Sequence, residues 1–223
     1  MYERIIKLIG EENFKKITDA KILLVGVGGV GGFVFEGLIR SGFTNITIID
    51  KDKVEITNLN RQLVANLKTI GLNKVDIAKD IALNINENIK INAIDAFLDA
   101  NNINILDADY DFIIDACDTL NTKLELIKFA NKHNIKIISS MGMGNRVDAS
   151  KIIITTLSKT NNDPLAKKLR KLCKDNNIKG NIPVVCSYEL PLKKGEVNSM
   201  ITSPGIAGLL ITNYVINEII SFY

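Results

Sequence analysis

The stretch that decides the fold is 25–33, VGVGGVGGF. Its five glycines follow directly on the apolar run Ile22, Leu23, Leu24, Val25, and Gly26, Gly28 and Gly31 fit the spacing G-x-G-x-x-G. A strand, a glycine turn and a helical stretch over 30–41 succeed one another here. Glycine lacks the Cβ that would block a tight turn, and the free N–H groups and positive dipole end of the following helix attract phosphate. The next apolar run, ITIID at 46–50, ends on Asp50, whose carboxylate can accept hydrogen bonds from ribose hydroxyls. Both features suit NAD as well as ATP, so the loop by itself leaves the nucleotide open.

Outward from this turn, short β-rich runs at 21–25, 46–50, 89–94, 111–115, 135–139 and 151–155 alternate with helical spacing. Over 71–86, Val75, Ala78, Ile81, Ala82 and Ile85 fall at that spacing, and another helix is predicted at about 119–133. Continuous apolar strands alternating with helices predict an α/β fold, with a mainly parallel sheet covered by helices on both faces. Beyond about 157 the rhythm changes. Asp163-Pro164 predicts an N-cap followed by proline at the first helical position, and Leu165, Leu169 and Leu172 then share one face. Residues 182–192 read as extended, and Pro204-Gly205 opens a last, apolar helix. The chain 1–223 is thus expected to form one domain: a nucleotide-binding core over 1–157, and a small C-terminal lobe over 158–223 with a basic helix and the apolar one.

Composition sets the outer limits. With 223 residues, 46% of them hydrophobic and 24% charged, the chain is long enough for a sizeable core. The balance of 28 basic against 25 acidic residues gives +3, which makes no global case for nucleic-acid binding. The three cysteines, Cys117, Cys173 and Cys186, form no C-x-x-C pair for zinc and no disulfide framework. The charged start, MYERIIKLIGEENFKK, is unlike a signal peptide, and no apolar run reaches spanning length. A cytoplasmic protein is expected, with peripheral membrane association through the C-terminal helix as the alternative.

Three charges after Asp50 bear on the nucleotide. A nicotinamide enzyme has no need of cations aimed past the pyrophosphate. A triphosphate-cleaving enzyme must neutralise charge that builds up on the β- and γ-phosphates, and Arg61 and Lys74 are placed for that. Asp118 follows the run DFIID, at the carboxyl edge of the sheet, where Mg²⁺ could be held. Taken singly, Arg61 and Lys74 read as solvated charges and Asp118 as a helix N-cap; their joint order is what carries information. The single His133 reads as a surface residue and Cys186 as a small buried hydrophobe.

Together, GxGGxG at 26–31, D-x-D at 50–52, N-x-x-R-Q at 58–62, Lys74 and D-x-x-D at 115–118 resemble the E1-like, ThiF-type adenylyltransferases. The resemblance covers residues 1 to about 157. It implies a Rossmann-like E1 fold that binds ATP and Mg²⁺, with Gly26, Gly28, Gly29, Gly31, Asp50, Asp52, Asn58 and Gln62 around the nucleotide. Arg61 and Lys74 would bind the phosphates, and Asp118 the metal–phosphate unit. Arg4 would reach the partner's site in a homodimer. A monovalent cation, Na⁺ or K⁺, is suggested by the family alone.

Within that family the segments MGMGNRVDASKI (141–152), KTNNDPLAKKLRKLCK (159–174) and VVCSYELP (184–191) resemble the tRNA threonylcarbamoyladenosine dehydratases. That resemblance implies adenylation of the threonylcarbamoyl carboxylate at tRNA adenosine 37, followed by cyclisation. The alternative is activation of a ubiquitin-like sulfur-carrier protein, against which the missing C-x-x-C pairs count. Residues 159–174 hold six basic side chains against one acidic. A solvated helix face is the plain reading; with the resemblance, Lys167, Lys168, Arg170 and Lys171 become a tRNA phosphate patch, extended by Lys193 and Lys194.

Overall fold

A computed structural model describes residues 1–192 and 195–221. Seven strands form one sheet: β1 (Lys21–Val25), β2 (Asn45–Ile49), β3 (Lys90–Ile94), β4 (Phe112–Asp115), β5 (Lys136–Ser140), β6 (Ile152–Thr156) and β7 (Pro183–Ser187). Their spatial order is β3-β2-β1-β4-β5-β7-β6. All neighbours run parallel except β6, which closes the edge antiparallel to β7. Seven α-helices accompany the sheet among the described residues: α1 (Glu3–Ile9), α2 (Glu11–Asp19), α3 (Gly31–Ser41), α4 (Lys74–Ile85), α5 (Leu120–His133), α6 (Pro164–Asp175) and α7 (Thr202–Ile220).

Side-chain alternation along each strand divides the core into two layers. Ile22 and Leu24 of β1, with Ile46, Ile48 and Ile114, face Val34, Phe35 and Leu38 of α3 and Ile211 and Val215 of α7. Leu23 and Val25, with Ile113, face Leu126, Ile127 and Ala130 of α5 and Ala166 and Leu169 of α6. Strands buried on both faces need continuous apolar runs, which is why KILLV and ITII carry no alternation. Phe35, Phe43 and Phe112 are fully buried, each contributing about 1.5–3 kcal/mol of burial.

The residues beyond 157 do not sit apart. β7 enters the sheet between β5 and β6, and α7 packs on α3. The helix–helix approach is close: a Cβ at Gly208 would lie 2.6 Å from the Val30 carbonyl oxygen. Two further differences separate pattern from structure. On α6 the buried face is Ala166, Leu169 and Cys173, while Leu165 and Leu172 are only half-buried, because the helix turns its Ala166 edge into the core. The amphipathic start of the chain folds as α1 and α2, broken at Gly10, where φ is 84°. No helix among the described residues is long and apolar enough to cross a membrane.

Candidate active site

The chain passes from β1 through β2 to β3 in one direction, and then returns to place β4 on the other side of β1. Loops leaving β1 and β4 therefore diverge, and such a switch point opens a crevice at the carboxyl ends of the strands. A cleft of about 1260 Å³ lies there, lined by the loops after β1, β2, β4 and β5 and by the turn at 56–62 except Asn58.

Its floor is the glycine turn. Gly26 has φ 92°, and a Cβ there would lie 2.8 Å from the Ala116 carbonyl oxygen. A Cβ at Gly31 would run into the carbonyl of Gly26, so Gly31 serves helix–strand packing and does not line the cleft. Gly28 differs: its missing Cβ would meet nothing nearer than Gln62 Nε2 at 3.8 Å. That openness leaves the backbone accessible to a ligand.

The carboxylate of Asp50 is fixed by two backbone donors, Val27 N–H at 2.6 Å and Asp52 N–H at 2.8 Å. Glycine turn and ribose-type carboxylate are thereby one rigid unit. Lys74 is the first residue of α4 and only 4% exposed, and its Nζ pairs with Asp52 Oδ2 at 3.0 Å. Arg61 stems from the turn at 56–62 beside Gly29, and its guanidinium donates to Thr57 O at 2.8 Å and Asn60 Oδ1 at 2.9 Å. Those bonds hold the guanidinium in the cleft wall and leave donors for an anion. Gln62 is buried in the same wall with its Oε1 unpartnered. Asp118 is exposed at the cleft after β4. The residue capping α5 is Thr119, without a side-chain bond, so the Asp118 carboxylate does not cap that helix.

The remaining sequence candidates fall elsewhere. Asn58 is behind the wall: its Oδ1 accepts from Glu55 N–H at 3.0 Å and shapes the turn that carries Arg61. Arg4 is exposed on α1, outside the cleft of its own chain. Lys167, Lys168 and Lys171 are exposed on α6, and Leu165 of that helix borders the cleft. Arg170 is half-buried, and one terminal nitrogen of its guanidinium donates to Thr160 O at 3.0 Å, to Leu157 O and to the Thr160 hydroxyl, which braces the segment beneath α6. Lys193 and Lys194 lie outside the described residues. His133 is half-buried, with its ring 4.5 Å from that of Phe129. Cys186 is fully buried in β7, as expected.

Two buried ion pairs stand behind the cleft. Lys123 and Asp115 are both wholly buried; Lys123 Nζ donates to both carboxylate oxygens at 3.0 Å and to Ser140 O at 2.7 Å. Burial and the Asp115 carboxylate push the Cys117 thiol well up, so this cleft-lining cysteine is a neutral thiol at neutral pH rather than a nucleophile. Arg146 and Asp163, both buried, pair at 3.7 Å. Sequence reasoning missed Lys123, although a lysine sharing the helical face of Ile127 and Ala130 was a readable anomaly. Arg146, in an aperiodic loop, carries no such signal. Asn60 was missed too: it lines the cleft and donates to Ser199 O at 2.8 Å, tying residues 197–199 across the mouth.

A glycine turn bonded to the Asp50 carboxylate, the cations Arg61 and Lys74 and the exposed Asp118 all meet at the switch point of a mainly parallel sheet, and residues 2–222 match the ThiF family, to which the chain belongs. Among its relatives, the tRNA threonylcarbamoyladenosine dehydratase of Bacillus subtilis is 34% identical over 95% of this chain and 91% of that protein. The Escherichia coli protein of the same name is 35% identical over 82% of this chain and 70% of its own length. A crystal structure of the E. coli tRNA N6-threonylcarbamoyladenosine dehydratase in complex with ATP superposes with a TM-score of 0.94 at 30% identity, covering 99% of this chain and 94% of that one.

Proposed function

We propose that this protein is an ATP-dependent tRNA threonylcarbamoyladenosine dehydratase. It would adenylate the carboxylate of the threonylcarbamoyl group on tRNA adenosine 37 and then close that group into a ring. The single observation that carries the reading is the convergence of Arg61, Lys74 and Asp118 on one cleft with the open backbone at Gly28.

A carboxylate is a poor electrophile because its charge is shared between two oxygens. Attack of one oxygen on the α-phosphorus of ATP forms a mixed anhydride and expels pyrophosphate, and the leaving group gathers negative charge as the α–β bond breaks. Arg61 and Lys74 supply fixed positive charge for that step, and Asp50 orients the ribose. An Mg²⁺ suits the donor set: Asp118 offers one exposed carboxylate, to which only the Thr119 hydroxyl donates among the described residues, and this ion favours one or two carboxylates with phosphate oxygens. Bound there with phosphate oxygens, the ion would neutralise charge on the triphosphate. In the second step the ureido nitrogen attacks the activated carbonyl, AMP leaves, and its proton passes to solvent. The nucleophile is tethered, so ring closure proceeds at high effective molarity without an enzyme thiolate, in keeping with the neutral Cys117.

Exposed Lys167, Lys168 and Lys171 on α6, whose Leu165 borders the cleft, are the proposed tRNA contact. Arg4 is proposed to act in the partner's site of a homodimer. The test incubates tRNA carrying threonylcarbamoyladenosine with ATP, Mg²⁺ and protein, and measures nucleoside mass. Loss of one water from the modified adenosine, with AMP release, is expected. Arg61→Ala should lower kcat about 10²–10³-fold while leaving the melting temperature intact. Near-normal turnover of that variant would remove Arg61 from the site, and AMP transfer only to a Gly-Gly-tailed protein would favour sulfur-carrier activation.

A further inference from the structure

The cleft wall at the end of β5 is made by Ser140, the last residue of that strand, and by Met141, Gly142, Met143 and Gly144. Nothing in the reaction outlined above uses the residues that hold it. Asp163, 5% exposed, makes two bonds in different directions. Its Oδ1 accepts from Ala166 N–H at 2.9 Å, capping α6, and its Oδ2 accepts from Gly142 N–H at 2.9 Å, in the wall. Arg146, 3% exposed, closes the circuit. Its Nε donates to Gly142 O at 3.1 Å, one terminal nitrogen donates to Asn162 O at 2.9 Å, and the other donates to Glu189 O. Both polar groups of the Gly142 backbone are therefore held by one buried ion pair. Leu165, two residues after Asp163, borders the same cleft. The first turn of α6 and the wall cannot move independently while this pair is intact.

We propose that Asp163 and Arg146 are positioning residues that lock the 141–144 wall to the start of α6, so that the carboxylate to be activated is held in line with the nucleotide. The inference rests on the dehydratase reading for its kinetic consequence, though not for its structural one. A buried pair with three carbonyl acceptors is costly to assemble and is retained here where loop placement, rather than core packing, is at stake. Misplacement of a bound group by about 1 Å can slow a reaction ~10²-fold without weakening binding, so the pair should act on kcat.

Asp163→Ser is the discriminating variant. Serine caps a helix nearly as well as aspartate, but its short hydroxyl cannot also reach Gly142. Its melting temperature should fall, because Arg146 is left buried without its carboxylate, but below that temperature its ATP affinity should stay close to wild type and its KM for tRNA should change less than about twofold. Its kcat for AMP release should fall about 10–100-fold, and amide deuterium exchange over 141–145 should quicken while that of α6 does not. Asp163→Asn keeps one acceptor oxygen for the α6 cap but sets an amide NH2 against Gly142 N–H, so it should lose kcat as Asp163→Ser does; Arg146→Lys, which keeps the charge but not the three-way grip, should do the same. Wild-type kcat in Asp163→Ser would overturn the proposal, as would equal losses in ATP affinity, KM and kcat, the mark of general loosening. If the wild-type protein releases no AMP with tRNA, the assigned reaction fails, and the exchange comparison still decides the lock: unchanged exchange over 141–145 overturns it and selective quickening sustains it.

Discussion

At Gly28 and Gly31 the same residue type answers to different forces. A Cβ at Gly28 would make one ordinary contact, with Gln62 Nε2 at 3.8 Å, whereas one at Gly31 would collide with the backbone of Gly26. Gly28→Val should therefore melt within a few degrees of wild type and lose ATP affinity, while Gly31→Ala should cost about 1–3 kcal/mol of stability by overpacking; paired thermal melts and nucleotide titrations separate the two. Cys186 gives a pH signature. Burial, with Asp163 adding to it, pushes its thiol up to about 11, whereas an unfolded cysteine titrates near ~8.5. Above that lower value the unfolded chain loses a proton that the folded chain keeps, so stability falls as pH rises towards about 11. Melting temperatures across that alkaline window should decline less steeply in Cys186→Ala than in wild type. An equal slope would mean that the thiol ionises alike in both states.

Among the elements, α6 carries the sharpest division of labour. Lys167, Lys168 and Lys171 are exposed, while Arg170 braces Leu157 and Thr160 from below. Neutralising the three lysines should reduce the salt dependence of tRNA binding by about two to three in log–log slope, with little change in ATP affinity, because each phosphate contact releases about one counterion. Arg170→Ala should instead lower the melting temperature, with a smaller change in that slope. Filter binding at several salt concentrations reads the first effect, and an unaltered slope would make this face a merely solvated one. The elements themselves were legible. Each of the seven strands matched a predicted run, three of them (β2, β5 and β6) displaced by one residue, because strands buried on both faces must be continuously apolar, and Asp163-Pro164 marked the start of α6 because capping chemistry is local. The buried face of α6 was misjudged by one position in the turn, since periodicity fixes a stripe's spacing but not which edge of it meets the sheet. The antiparallel sense of β6 was equally invisible: a strand's direction depends on the partner it finds.

For the molecule as a whole, the proposed dimer yields a complementation test. Arg4→Ala and Arg61→Ala should each be nearly inactive alone. If Arg4 serves the partner's site, an exchanged equal mixture should regain about a quarter of wild-type activity. Half of its dimers would be hybrids, and each symmetric hybrid has one intact site. No recovery after subunit exchange, checked by native mass measurement, would place Arg4 outside the active site or in its own chain's cleft.

What the sequence determined by itself was local: the glycine turn, the acid after β2, the cations at 61 and 74 and the carboxylate at 118 are fixed by spacing from strand ends, and strand ends are set by short-range hydrophobic pattern. Tertiary structure alone decided which of these residues share a cleft and which stand behind it, as Asn58 does. It alone paired Lys123 with Asp115 and Arg146 with Asp163, and threaded β7 into the sheet. Those outcomes join residues distant along the chain through burial and electrostatics, and their free energy depends on surroundings that exist only once the chain has folded.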